Sequence, residues 1–186
     1  MTDVLTHPAA HSEGRDHKSH WLRRLGSSLV YDALLAPVGV QTMADAMLGE
    51  EETAARRWRR LGVRGVKQPM SNARTFGYGL LSAVLGLTSW FVMLLMVVAV
   101  VRGPFWGFVE HGPVQPGTWG GPTRAGAWVA HGVIAVPCIL VFLFALRGIA
   151  ALHTLLVQGT RRWVLPATIV LAAGSLAFFW SWLQQL

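Results

Sequence analysis

Beyond residue 75 the chain is a series of long hydrophobic runs separated by short polar breaks. Residues 76–101, FGYGLLSAVLGLTSWFVMLLMVVAVV, contain no charged side chain. A helix needs about 20 mostly apolar residues to cross a hydrocarbon core of about 30 Å, and this run meets that length. Residues 124–150 and 163–183 predict two further spans. Trp163 stands at one end of the third, with Trp180 and Trp182 at the other, where indole rings favour the membrane–water interface. Pro122 suits the first turn of the second span. Pro137, in its middle, predicts a kink. Gly79, Ala83 and Gly86 form a small-residue face on the first span, and Ala173 and Ala177 form another on the third. Such faces let helices approach closely.

The N-terminal part has a different pattern. Residues 1–20 are polar, lack the apolar core of a signal peptide and predict a disordered tail. His7, His11, His17 and His20 recur there, but nothing completes a metal-ligand set of fixed geometry, and no metal is expected. Residues 21–48 are moderately apolar, interrupted by Asp32, Gln41 and Asp45 and broken at Pro37. They predict one or two amphipathic helices on the inner membrane face; a membrane-inserted hairpin or cryptic span is the alternative. Residues 49–62 predict a soluble helix. Glu50, Glu51 and Glu52 lie at its start and Arg56, Arg57, Arg59 and Arg60 near its end, matching the helix dipole. Gly62 is a natural stop. Residues 63–75 read as a linker. The expected organisation is a tail (1–20), a basic cytoplasmic or interfacial helical region (21–75) and a transmembrane domain (76–186) with an extracytoplasmic loop at 103–123. The fold class is an all-α integral membrane protein, with about three transmembrane helices preceded by amphipathic helices.

Charge orients this arrangement. Only 13% of the 186 residues are charged, against about 25% in soluble domains. Eleven of the sixteen Lys and Arg precede residue 75, so the net charge of +7 fits a positive-inside topology rather than nucleic-acid binding. The N-terminus is expected in the cytoplasm and the C-terminus outside, in the cytoplasmic membrane. Arg56, Arg57, Arg59 and Arg60, with Trp58 as an interfacial anchor, form a patch suited to anionic lipid headgroups; an ordinary solvated helix is the alternative. The single cysteine, Cys138, reads as a small buried residue.

Candidate chemistry is sparse. Arg124, Trp128 and His131 share a helix face at the outer end of the second span. Glu110 and His111 precede them in the loop and can fold over them. Titratable groups at a membrane edge are costly unless they serve a purpose. The five residues form the expected ligand or sensing patch, with Pro137 as a hinge. Interhelical hydrogen bonding is the plainer alternative. His131 and His153 lie too far apart along one helix to share a haem, and no cofactor is expected. No phosphate-binding loop, nucleophile elbow or zinc-protease motif occurs, and no enzymatic activity is expected.

One stretch resembles a known family. Trp119-Gly120-Gly121-Pro122-Thr123, then Gly126-Ala127-Trp128 and His131, then Arg147-Gly148-Ile149-Ala150-Ala151-Leu152-His153 resembles the sensor domain of actinobacterial membrane proteins, which often precedes a histidine kinase. The resemblance covers about residues 74–157. Here a third hydrophobic helix follows where the family continues into a kinase. The resemblance implies a non-enzymatic, sensor-like module that signals through a protein partner. A structural accessory subunit of a larger membrane complex, a transporter or respiratory assembly, is the second expectation.

Overall fold

Two glycines turn the chain sharply before the first apolar helix begins. The computed structural model describes residues 13–66, 71–115, 117–159 and 161–184. Its helices are α1 (Glu13–Met47), α2 (Glu51–Arg60), α3 (Asn72–Arg102), α4 (Trp106–Val109), α5 (Arg124–Gln158) and α6 (Val164–Leu183), with no strand among the described residues. Gly49 and Gly62, at φ 75° and 90°, close α1 and α2. After α2, Gly62 N–H donates to Arg59 O and Val63 N–H to Trp58 O, a Schellman ending that brings Val63 against Trp58.

Three helices, α3, α5 and α6, are long and apolar enough to cross a membrane. This is the expected fold class; α3 and α5 run past their expected spans, and α6 matches its own to within a residue. α3 starts at Asn72, inside the stretch read as linker. α5 continues to Gln158, beyond the expected end at residue 150, and takes in His153. Its cap is Thr123, whose hydroxyl accepts from Gly126 N–H at 3.1 Å, which leaves Pro122 just outside. The helix runs through Pro137.

α1 departs most from expectation. It is one helix that passes through Pro37 and begins at Glu13, inside the stretch expected to be disordered. His7 and His11 lie outside the described residues. Proline removes one N–H and frees the carbonyl four residues earlier, here Ala33. Trp90 Nε1 donates to that carbonyl at 2.9 Å, so the break the pattern suggests is repaired from α3.

α1 runs antiparallel along α3 at backbone contact. A Cβ on Gly39 would lie 2.4 Å from Ala83 N, and one on Gly86 would lie 2.1 Å from Ala36 N. Gly79 meets Gly39 O and Met43. The small-residue face of α3 is therefore used, and its partner is α1. Ala173 and Ala177 on α6 are exposed. α5 completes the core, with Ile149 packed on Leu35 and Leu85, and Val157 packed on Trp58 and Val63.

α2 folds back onto α1. Arg57 grips Asp45 with two hydrogen bonds, at 2.8 and 3.2 Å, and donates to Gln41 at 2.9 Å. This bonding to Asp45 raises the Arg57 pKa above its already high value. Two members of the expected lipid patch are thus spent inside the protein. Arg57 is half-buried on Asp45. Trp58 is fully buried, edge-on to Tyr78, because its large apolar ring fills the space between α2, α3 and α5. Arg56, Arg59 and Arg60 remain exposed.

Candidate functional site

One end of the bundle is organised by the loop between α3 and α5. Arg124 donates to the carbonyls of Gly107, at 2.8 Å, and Glu110. Trp128 Nε1 donates to Pro104 O at 2.7 Å. Gly107 lies flat on the Trp128 ring, where a Cβ would come 2.4 Å from Cε3, and Phe108 meets the same ring edge-on at 5.0 Å. The Trp106 ring stacks on His131 with centroids 4.9 Å apart. The short helix α4 is thereby clamped onto the first two turns of α5.

Arg124, Trp128 and His131 do share one face, and the loop does fold over them. The contacts to Glu110 run through its backbone; among the described residues its carboxylate forms no ion pair with Arg124 or His131. His111 turns back on its own loop, its ring Nδ1 within 3.1 Å of Val109 O, and is exposed. Arg124 and Trp128 therefore act as clasps. His131 is the member left facing open space.

That space is a groove of about 480 Å³ between the C-terminal part of α3 and the N-terminal half of α5. Leu95, Val98, Ile134 and Phe142 form apolar walls, and Arg102, His131 and Trp119 stand around it. Cys138 lines it too and is exposed rather than buried. His131 Nδ1 lies 2.7 Å from Ala127 O. A carbonyl only accepts, so Nδ1 carries a proton, which leaves Nε2 as the ring nitrogen without a hydrogen-bond partner among the described residues. Among the described residues Arg102 is exposed and has no hydrogen bond or ion pair.

A second polar cluster lies inside the bundle and was missed by the sequence reading. His153 is fully buried, with Tyr31 OH 2.6 Å from Nδ1 and Ser82 Oγ 2.6 Å from Nε2. Ser82 donates its one proton to Tyr78 O at 2.6 Å, so it accepts from His153 Nε2, and Nδ1 accepts from Tyr31. One neutral imidazole thus joins α1, α3 and α5. The Ser82–His153 distance is that of a nucleophile and its base. Yet Ser82 is 1% exposed and its proton is committed to a helix carbonyl, so the cluster holds helices together. Next to Tyr31, Asp32 is also fully buried. Ser89 faces it from α3, but no hydrogen bond of sound geometry reaches either carboxyl oxygen. Polar residues inside apolar helices were the available signal. For His153 that signal was weak, because the residue lies past the expected span of 124–150 and toward Arg161 and Arg162.

No group of metal-ligating side chains occurs among the described residues. No family model, curated protein or solved structure matches the chain.

Proposed function

We propose that this chain is a non-enzymatic, sensor-like protein of the cytoplasmic membrane that binds a ligand at its outer face and signals through a protein partner at its inner face. The observation that carries the reading is the span of α5. Its outer turns hold His131 in the groove, and its inner turns hold His153 in the polar hub and Val157 against Trp58 of α2. Gln158 also donates to Arg64 O at 2.9 Å, in the segment after α2. A change in bend at Pro137 moves both ends. The resemblance of residues 74–157 to actinobacterial sensor domains supports the same reading.

Orientation follows from charge. Arg56, Arg59, Arg60, Arg64, Arg161 and Arg162 are exposed at the end of the bundle opposite the 103–123 loop. That end is cytoplasmic by the positive-inside rule, and its free arginines meet anionic headgroups. α6 then ends outside. α1 enters the bilayer beside α3 as a fourth, polar-faced crossing. Ala33 already lies level with Trp90, about 27 Å of helix above Asn72. Val30, Leu34 and Val40 form its lipid-facing side. The start of α1 consequently lies at the outer surface, opposite to the expectation from charge alone.

Purification of the tagged protein from its native membrane in nanodiscs, followed by mass spectrometry, tests the reading. A co-purifying kinase or regulator supports it. The second reading, an accessory subunit, is favoured by the exposed Ala173–Ala177 face of α6, which is free for close packing with another helix. Recovery at fixed stoichiometry within a large transport or respiratory complex decides for that second reading.

A further inference from the structure

We propose that the groove between α3 and α5 holds one anionic phospholipid of the outer leaflet, its phosphate on Arg102 and an acyl chain along Leu95, Val98, Ile134 and Phe142. The inference deepens the sensor reading, on which it rests for its biological meaning, by naming the ligand class.

The shape suits an amphiphile. At about 480 Å³ the groove falls within the range of about 300–1,000 Å³ usual for small-ligand sites. Its polar members, Arg102 and His131, both sit at the outer rim. The walls then descend along both helices. Leu95 is about 10 Å below Arg102 on α3, and Phe142 about 16 Å below His131 on α5, at 1.5 Å per residue. Gly103 fixes the rim, since a Cβ there would lie 2.0 Å from the Ala135 side chain. A free phosphate ion would leave this apolar depth unfilled.

Charge selects the headgroup. Arg102 has no acidic or hydrogen-bonding partner among the described residues. An unpaired guanidinium at the hydrocarbon edge is costly, and its planar fork matches two phosphate oxygens. His131 adds selectivity. With Nδ1 committed to Ala127 O, Nε2 is the ring nitrogen left to hydrogen-bond a headgroup hydroxyl, whose oxygen and proton serve either as acceptor or as donor. A phosphate ester bearing a free hydroxyl, such as phosphatidylglycerol, satisfies both groups.

The test is native mass spectrometry of the full chain released from nanodiscs of phosphatidylcholine and phosphatidylglycerol. The wild type retains one phosphatidylglycerol in preference to phosphatidylcholine. Arg102→Gln weakens that retention about tenfold, the loss expected for one charge-assisted contact. Arg162→Gln, at the inner end, does not. Ile134→Trp, which fills the groove and keeps the charge, also expels the lipid. Equal retention of the two lipids, or selectivity unchanged by Arg102→Gln and Ile134→Trp, overturns the proposal. So does displacement of the lipid by inorganic phosphate, which marks a free-anion site. The two readings fail separately. Selective retention with a partner indifferent to Arg102→Gln removes the sensor reading and leaves the lipid site. Unselective retention with a partner that still responds to Arg102 and His131 variants removes the ligand class and leaves the sensor.

Discussion

Trp90 donates its indole N–H to the carbonyl of Ala33, the acceptor that Pro37 leaves without a helical donor. In hydrocarbon no water can take that place. Trp90→Phe therefore strands the carbonyl and lowers stability by about 1–3 kcal/mol. Pro37→Ala restores a donor within α1, so the same tryptophan change costs less in that background. Unfolding in mild detergent across the double-mutant cycle reads the coupling, and additive effects would show that the bond contributes nothing.

Gly86 and Gly39 set the distance between α1 and α3. Gly86→Ala places a methyl group 2.1 Å from the Ala36 backbone nitrogen, which neither helix can relieve by a rotamer change. The expected result is a marked loss of thermal stability. Gly77→Ala is the control, since nothing lies within 4 Å of its added Cβ. Alanine is the better helix former by up to about 1 kcal/mol, so Gly77→Ala is neutral or stabilising. Melting curves that do not separate the two variants would remove backbone contact as the basis of the pairing.

The three apolar spans were legible because long uncharged runs have no other economical structure, and Gly79, Ala83 and Gly86 announced a tight contact. The identity of the partner was not legible. α1 buries Asp32, Thr42 and Asp45 against its neighbours, so hydropathy under-reads how closely it packs along α3. Pro37 misled for a related reason, since its remedy lies on another helix, fifty-odd residues away. At the start of α5, helical periodicity correctly grouped Arg124, Trp128 and His131. It could not show that the first two are bonded to loop carbonyls, nor that Arg102, from a different helix, supplies the free charge. Trp58 looked like an interfacial anchor because its neighbours are arginines, yet three helices meet around its ring.

His153 hydrogen-bonds from α5 to both α1 and α3. Tyr31→Phe leaves Nδ1 without its donor and costs about 1–2 kcal/mol. His153→Phe strands the Tyr31 hydroxyl proton, removes the donor to Ser82 Oγ and costs more. Once His153 is gone, Tyr31→Phe adds little. Stability measured across this cycle checks the hub. Equal penalties for Tyr31→Phe in the two backgrounds would mean that tyrosine and histidine act independently.

Asp32 is a buried carboxyl with neither oxygen in a hydrogen bond among the described residues. Burying an unbonded polar group costs roughly 2–7 kcal/mol in apolar surroundings. Asp32→Leu removes that cost at similar bulk and is expected to raise the unfolding temperature in detergent. A fall instead would show that the carboxyl binds something in the native protein, and equilibrium binding of protons or monovalent cations would then be the measurement to make.

The depth of α1 decides which side of the membrane the tail occupies. With Cys138 replaced by Ser, single cysteines at Thr2, Val30 and Glu52 report three different environments. Glu52 is exposed on α2 at the arginine-rich end, so a membrane-impermeant maleimide reaches Glu52→Cys only after permeabilisation. Val30, 59% exposed in the isolated chain, faces lipid in the proposed crossing and resists labelling on either side. Thr2→Cys is expected to label in intact cells, because a helix that passes Trp90 at Ala33 still has about 30 Å of length to run toward its start at Glu13. The opposite pattern, with Thr2→Cys protected in intact cells and Val30→Cys labelled after permeabilisation, would lay α1 on the inner face. Its contact with α3 would then require the start of α3 to emerge from the bilayer, which moves Trp90 to the interface and shortens the hydrophobic stretch available to span it.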